Sequence, residues 1–297
     1  MSVTVRVPAK VNVQLAVGAA RPDGFHDLAN VFLAVGLYDE VTVAPADGLR
    51  VTCEGPDAGQ VPLDGTNLAA RAAVALAGRR GIEPNVHIHI AKDIPVAGGM
   101  AGGSADGAGA LLACDTLWGT GATRAELLDI CAELGSDVPF SLVGGAALGT
   151  GRGERLTALE TGGTFHWVFA TAGRGLSTPA VFREFDRLTE GLSVPEPVAS
   201  PDLLAALAKG DPDALAAAVS NDLQPAALSL FPELADTLEA GREAGALAAL
   251  VSGSGPTTAF LARDAGSART IAQALRSSGT CASARTAAGP VPGATVR

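Results

Sequence analysis

The chain has few basic residues, and lysine is especially rare. Its 297 residues include 31 Asp and Glu but only 21 Lys and Arg, which gives a formal net charge of −10 at pH 7. The lysines are Lys10, Lys92 and Lys209. Nucleic-acid binding needs a surplus of positive charge on one face to meet the backbone phosphates. The charge balance therefore argues against a nucleic-acid partner, whereas a small anionic ligand in a local pocket remains compatible with it.

Long apolar runs and cysteine motifs are also missing. No unbroken apolar run approaches the length of a membrane span, and the first residues lack the pattern of a signal peptide. We therefore expect a cytoplasmic protein with no membrane partner. His87 and His89 would share one face of a strand, but no third metal ligand accompanies them, so we interpret them as solvent-facing. No C-x-x-C spacing indicates a zinc site or a disulfide framework among Cys53, Cys114, Cys131 and Cys281.

The periodicity of apolar residues predicts two domains, 1–158 and 159–297. In the first, alternation predicts short strands at 3–7, 11–17, 31–37, 40–44, 49–53 and 85–91, and helices over 67–78, 104–118 and 123–134. In the second, we expect helices over 178–188, 201–220 and 232–244, followed by strand, turn, strand, helix and strand between 247 and 286. Helices beside a mostly antiparallel sheet predict an α+β fold.

A glycine-dense segment runs from Pro95 to Gly109 into a helical pattern. Glycine lets backbone amides approach an anion closely, and the positive end of the following helix favours negative charge. We predict that phosphate binds there, with Ser104 as the helix N-cap. The missing lysine excludes a P-loop, and the paired glycines after Pro95 argue against a dinucleotide fingerprint. By itself the segment is also explained by a flexible loop or by close helix packing.

Three segments in combination are more specific than any one of them. They are Pro8-Ala9-Lys10-Val11-Asn12, the loop at 95–106, and Val251-Ser252-Gly253-Ser254-Gly255-Pro256. Together they resemble the three motifs of the GHMP kinases, whose middle motif has the form P-x3-G-L-x-S-S-A-A. The segments at 21–26 and 134–140 are similar to one branch of that family, whose acceptor has a cytidine end. The resemblance implies a two-domain GHMP-kinase-like fold, with ATP and substrate in a cleft between the domains.

This resemblance implies phosphoryl transfer from ATP to an alcohol group, with Asp137 and Lys10 as the catalytic residues. Asp137 would be the general base, and Lys10 would keep it ionised and stabilise charge on the reacting oxygen. Without the resemblance, the same residues are explained as a helix N-cap and a strand-edge lysine. Mg²⁺ is expected with ATP. Ser104 is its predicted ligand, and Asp106 is a second candidate that the helix dipole explains equally well.

By the same resemblance, ATP is expected to lie along the glycine-rich loop. Alanine replaces a common glycine at two positions of that loop, Ala97 and Ala101, and the extra methyl is tolerated wherever φ is negative. Asn67, Leu68 and Lys92 are expected to border the nucleotide. The predicted loop contacts are Pro95, Val96, Ala97, Gly98, Gly99, Met100, Ala101, Gly102, Gly103, Ser104 and Ala105.

The branch resemblance also implies an acceptor site. Phe25 is expected to stack on the cytidine end, and His26 can present one donor and one acceptor to a pyrimidine edge. Asn12 is expected near the sugar-alcohol part of the acceptor. Three further substrate-side residues, for which core packing or helix capping is an alternative interpretation, are Phe32, Thr178 and Phe182.

Several functions remain as alternatives. Another GHMP kinase acting on mevalonate, homoserine or a sugar is the nearest, and the Phe25-His26 pair distinguishes the cytidine acceptor from these. A non-catalytic nucleotide-binding sensor on the same scaffold is a different class, which the retention of Lys10 and Asp137 disfavours. A structural interaction module would need an exposed surface that a sequence does not show. We expect ATP and a small molecule as the partners, and a monomer or weak homodimer.

Overall fold

Two long antiparallel strands organise the larger of two sheets. The computed structural model describes residues 2–96 and 98–297. β1 (Val3–Ala20) and β2 (His26–Pro45) pair along most of their length, with register shifts near Pro8/Ala9 and Asn12/Gln14. The sequence pattern predicted two shorter strands in place of each. A bulge shifts the inward and outward alternation without ending the strand, which is why the apolar pattern seemed to stop.

Four more strands extend this sheet, and helices cover its buried face. The order β3-β4-β2-β1 is antiparallel except for the parallel pair β3 and β4, while β5 pairs with β2 and β6 with β5. Valines of β1 and β2 pack against the helices. The elements are β3 (Arg50–Glu54), β4 (Val86–Ala91), β5 (Ala146–Thr150), β6 (Arg155–Ala158), α1 (Leu68–Arg80), α2 (Gly102–Trp118), α3 (Arg124–Leu134) and α4 (Val138–Val143).

The second sheet is a smaller antiparallel one in the order β11-β7-β10-β9. Its strands are β7 (Phe165–Thr171), β9 (Ala248–Val251), β10 (Thr258–Ala262) and β11 (Ser283–Gly289). Helices α5 (Thr178–Leu188), α6 (Pro201–Lys209), α7 (Pro212–Ala218), α8 (Gln224–Leu230), α9 (Leu234–Glu243) and α10 (Ala265–Ser278) accompany it. The helix predicted over 201–220 is two helices, because Gly210 has φ 68° and the Asp211 side chain caps the next helix.

The later part of the chain returns to the larger sheet. The short strands β8 (Ser220–Asn221) and β12 (Thr295–Val296) both pair with β1. The division at 158/159 therefore stays a prediction, although β6 ends there. The observed fold confirms the predicted α+β class. In the part of the chain that is described, no helix has the length and apolar character needed to cross a membrane.

His87 and His89 lie on the outer face of the larger sheet. They are half-buried, not fully solvent-facing, and the Thr52 hydroxyl is 2.8 Å from His87 Nε2 and 2.9 Å from His89 Nδ1. Outside Met1 and Ala97, no group of three or more His, Cys, Asp or Glu side chains is arranged to hold a metal ion.

Candidate active site

A cleft of about 770 Å³ brings the three motif segments together. Lys10 and Asn12 of β1, the glycine-rich loop and the turn at 253–254 all line it. Most of the predicted site residues also line this cleft. The exceptions are Phe32, Met100 and Ala105, whereas the predicted contact Ala97 lies outside the described residues.

The two predicted catalytic residues meet in this cleft. Lys10 Nζ lies 3.5 Å from Asp137 Oδ2, and the lysine is buried while the aspartate side chain is 32% exposed. Lys10 Nζ donates to Asn12 Oδ1 at 2.6 Å, and Asn12 Nδ2 donates to Asn30 Oδ1 at 2.7 Å. Alternation along β1 puts Lys10 and Asn12 on one face. Asn30, at the end of this series of hydrogen bonds, also lines the cleft, and no sequence pattern indicated it.

The alternative interpretation of Asp137 as a capping side chain does not describe the structure. Asp137 occupies the position before α4, but its carboxylate makes no capping hydrogen bond. It lines the cleft, where it lies beside the Lys10 ammonium. The arrangement is that of a partly exposed carboxylate held beside a buried cation.

The glycine-rich loop enters α2 differently from the prediction. The helix begins at Gly102 after Ala101, and Ala105 N donates to Ala101 O at 2.8 Å. Ser104 therefore lies within the first turn and is not the N-cap. Ala101 has φ 59°, so the condition under which the extra methyl is tolerated is not met at this alanine. The left-handed conformation turns the chain from the loop into the helix, a turn that glycine makes at lower cost.

The third motif segment holds the tip of the loop. Ser252 Oγ donates to Gly99 O at 2.7 Å, and Thr257 Oγ1 donates to Gly98 O at 2.6 Å. Gly99 has φ 85°, and a Cβ there would lie 2.4 Å from Ser252 O. Glycine is required at this position by both its conformation and the close approach. Asn221, which sequence reasoning missed, positions the segment by donating to Val251 O and Gly253 O.

Three residues predicted to contact ATP or substrate have buried side chains. The side chains of Met100 and Ala105 point into the core, and the Met100 carbonyl accepts from Lys10 N of β1 at 3.3 Å. Phe32 is fully buried and stacks on Phe140 with centroids 4.8 Å apart. Its ring centroid is 5.9 Å from Lys10 Nζ. Phe32 therefore lies behind the lysine and supports it from the core.

The predicted acceptor residues line the other end of the cleft. His26 is buried, with Nε2 2.8 Å from Asp186 Oδ1 and its ring 4.9 Å from that of Phe182. One ring nitrogen is thus already paired, so the prediction that both serve a pyrimidine is corrected to one. Phe25 is 48% exposed, and the Arg152 guanidinium lies 5.0 Å from its ring centroid.

Two charged residues near Phe25 and His26, Asp186 and Arg152, were not predicted from the sequence, for different reasons. Asp186 is four residues after Phe182 on α5. This spacing puts both side chains on one helical face, so the sequence could have predicted Asp186 beside the acceptor site. Arg152 sits in the turn between β5 and β6, and only folding brings it to Phe25. Thr178 links this end to the third motif segment, because its Oγ1 is 2.8 Å from Ser254 Oγ.

Lys92 and Asn67 line the cleft, but their polar atoms are used by the protein. Asn67 caps α1 by accepting from Ala69 N at 2.8 Å. Lys92 Nζ donates to Asp39 Oδ2 at 2.5 Å and to Asp106 Oδ2 at 2.7 Å. Burial lowers the pKa of Lys92, but the two carboxylates outweigh it and hold that pKa above its usual value. Burial also raises the pKa of Asp106, whose Oδ1 has no hydrogen-bond partner among the described residues.

Comparison with known proteins identifies relatives over the whole chain. The family model "GHMP kinases N terminal domain" matches residues 67–145, and "GHMP kinases C terminal" matches residues 203–281. The 4-diphosphocytidyl-2-C-methyl-D-erythritol kinase of Streptomyces avermitilis is 83% identical over 296 residues, covering 100% of both chains. The enzyme of the same name from Streptomyces coelicolor is 82% identical and covers 100% of this chain and 99% of its own.

Solved structures share the fold. A crystal structure of 4-(cytidine 5'-diphospho)-2C-methyl-D-erythritol kinase matches with a TM-score of 0.78 at 33% identity, over 96% of this chain and 98% of the other. A homoserine kinase from Cytophaga hutchinsonii matches with a TM-score of 0.76 at 22% identity, over 100% and 97%. The second likeness concerns the fold alone.

Proposed function

The chain belongs to the GHMP kinases, and we propose from this that it transfers a phosphoryl group from ATP to 4-diphosphocytidyl-2-C-methyl-D-erythritol. The acceptor group is the 2-hydroxyl, and the reaction is a step of isoprenoid precursor biosynthesis. The observation that carries the chemistry is the Lys10–Asp137 pair, 3.5 Å apart in the same cleft as the glycine-rich loop. The predicted cytoplasmic location and monomeric or weakly dimeric state stay predictions.

The protein's part in the reaction is to position the reactants and balance charge. The Asp137 carboxylate accepts the proton of the acceptor hydroxyl as the hydroxyl oxygen bonds to the γ phosphorus of ATP. The bond from that phosphorus to the β,γ-bridging oxygen breaks, and ADP leaves. Lys10 stabilises the charge on that oxygen and keeps Asp137 ionised. Asn12 and Asn30 fix the lysine, because their hydrogen bonds leave Nζ one defined position.

Backbone amides of the loop receive the phosphates of ATP. Glycines with positive φ at the loop tip expose the backbone, and the start of α2 adds its positive dipole. Ser252 and Thr257 occupy the loop carbonyls, so those carbonyls do not face the phosphates as free acceptors. The segment at 251–256 thus contributes to phosphate binding by orienting the glycine-rich loop.

The residues around the start of α2 fit a magnesium ion brought with ATP. Ser104 lines the cleft and offers a hydroxyl, a hard oxygen ligand of the kind that Mg²⁺ prefers. The Asp106 carboxylate, two residues further along α2, also lines the cleft but is largely buried, with Oδ1 unpaired among the described residues. Ser104 would bind the ion, directly or through water, and Asp106 would attract it. When bound, Mg²⁺ neutralises charge on the β and γ phosphates.

The acceptor end of the cleft favours a substrate with a base. The exposed Phe25 ring can stack on a pyrimidine, and His26 keeps one ring nitrogen for its edge while Asp186 orients the other. Mevalonate, homoserine and sugars have no aromatic base that would use these rings. Phe25 and His26 therefore support the cytidine-bearing acceptor over the others.

ADP release with Mg²⁺-ATP tests the proposal. We expect release with the cytidyl methylerythritol acceptor, and none above background with mevalonate, homoserine or galactose. Release with another acceptor alone would keep the kinase and remove the acceptor assignment. ATP binding without release for any acceptor would favour the sensor.

A matched pair of variants tests the base. Asp137→Asn should lower turnover by at least about 100-fold and leave ATP binding largely intact. Asp129→Asn makes the same chemical change on the exposed face of α3 and should leave turnover unchanged. Equal rates for the two variants would remove the assignment of Asp137.

A further inference from the structure

A buried carboxylate outside the cleft holds the residues that precede the phosphate loop. Asp39 of β2 is fully buried and does not line the cleft. Its Oδ1 accepts from Asp93 N at 2.7 Å and from Ile94 N at 2.8 Å, and its Oδ2 accepts from Lys92 Nζ at 2.5 Å. One side chain thus holds three consecutive residues immediately before Pro95.

Lys92 extends this hold to the far side of the loop. Its ammonium also donates to Asp106 Oδ2 at 2.7 Å, within the first turns of α2. A Cβ on Gly102 would lie 2.9 Å from Lys92 Nζ, so the ammonium rests against the first residue of the helix. Asp39 therefore holds the residues before the loop directly, and it is linked to the start of α2 through Lys92.

The tip of the loop is held separately. Ser252 and Thr257 bond the carbonyls of Gly99 and Gly98 from the smaller sheet. Neither residue contacts Asp39 or Lys92 by hydrogen bond. Different side chains therefore hold the base and the tip of the loop, although Arg285 of the smaller sheet also donates to Asp93 at the base.

The charges themselves point to a geometric role. Burying an ion cluster costs solvation, and a well-packed apolar trio in its place is often equally or more stable. Fixed charged hydrogen bonds instead define distance and direction at the two ends of the loop. We propose that Asp39 is a positioning residue, which through Lys92 and Asp106 sets the spacing between the loop base and the start of α2 and thereby the affinity for ATP. This rests on the proposed kinase function.

The test is Asp39→Asn in the full-length protein. The amide oxygen can still accept from Asp93 N and Ile94 N. The uncharged NH₂ group then takes the place of the carboxylate oxygen beside the Lys92 ammonium. We expect the KM and Kd for ATP to rise about 10- to 100-fold, as for a small misplacement of a binding group. The acceptor KM should change by less than about twofold, because no hydrogen bond among the described residues joins His26 to Asp39, Lys92 or Asp106.

Hydrogen exchange provides a readout that does not depend on activity. In Asp39→Asn, amides at 92–94 and 102–106 should exchange faster, while those of α10 remain protected. Thr237→Val is the control, since it removes a buried hydrogen bond to Thr280 O in the other half of the molecule. It should lower the melting temperature without changing the KM for ATP.

Unchanged ATP affinity in folded Asp39→Asn would overturn the proposal. Faster exchange throughout the chain, with both KM values raised equally, would also overturn it, because that is the result of a merely structural role. ATP affinity measured by calorimetry separates this failure from that of the proposed function, which is decided by ADP release from the unmodified protein.

Asp106→Asn acts at the other end of the same cluster and provides a second test if Asp39→Asn does not fold. It should raise the Kd for ATP measured without Mg²⁺, a condition that removes any attraction of Asp106 for the ion as the cause. Amides at 102–106 should exchange faster while those at 92–94 stay protected. A lower Kd for ATP would mean that Asp106 acts only as a repulsive charge near the phosphates, and would overturn the proposal.

Discussion

Replacing Ala101 with glycine should stabilise the protein. Ala101 has φ 59° at the entry to α2, the one described non-glycine residue with a positive φ. The left-handed conformation costs an alanine about 1–2 kcal/mol. Glycine removes that cost but gives the unfolded chain more freedom, which returns about 0.4–1 kcal/mol. The difference is a gain of about 0.5–1 kcal/mol in the free energy of unfolding.

Thermal unfolding measures this gain. For a chain of this length the melting temperature should rise by about 1–3 °C. Ala108→Gly is the matched control, because Ala108 is fully buried in the interior of the same helix. There the same substitution loses helix propensity and a buried methyl group, and should destabilise by about 1–2 kcal/mol. A lower melting temperature for both variants would refute the strain assigned to Ala101.

Three further predictions follow from hydrogen bonds and burial. Thr257→Val removes the hydroxyl that holds the loop tip, and it should lower the free energy of unfolding by about 1–2 kcal/mol and raise the KM for ATP. Thr258→Val is the control, because its hydroxyl is 3.4 Å from a carbonyl away from the loop. Equal KM values for the two variants would contradict the role of Thr257 in holding the loop. Backbone and side-chain hydrogen bonds lower the pKa of Glu126 from 4.5 to about 2. The stability that ionised Glu126 gives the fold should therefore be present above pH 4.5 and disappear as the pH falls through about 2. A difference in melting temperature between the protein and Glu126→Gln that does not shrink over this pH range would contradict this contribution. Burial raises the pKa of Cys114 and Cys131 to about 12, so mass spectrometry after alkylation should find both unmodified in the native protein and modified in denaturant.

The sequence predicted elements best where their signals are local. Helix α5 has the predicted bounds, and α2 ends at Trp118 as predicted, because Gly119 stops it with φ 60°. The predicted start of α2 was wrong, because the helix begins at Gly102 and not at residue 104. The turn into it depends on a positive φ at Ala101, which no local preference of alanine indicates.

The candidate site divides in the same way. The motif segments predicted Lys10, Asp137 and the loop, because each lies in a short stretch with its own recognisable pattern. Phe32 was placed on the substrate side, yet folding buries it behind Lys10. Whether a side chain on a strand faces a cleft or a core depends on what packs against that strand, and the strand's own sequence does not contain this information.

The sequence by itself determined the helices, the alternating strands, the family and the chemical groups available for phosphoryl transfer, since all of these depend on the order of neighbouring residues. The tertiary structure alone decided the contacts between distant segments. Asp39 meets Lys92 and Asp106 because strand pairing and helix packing bring three separate stretches together. Burial then makes those charges depend on one another, because water no longer screens them.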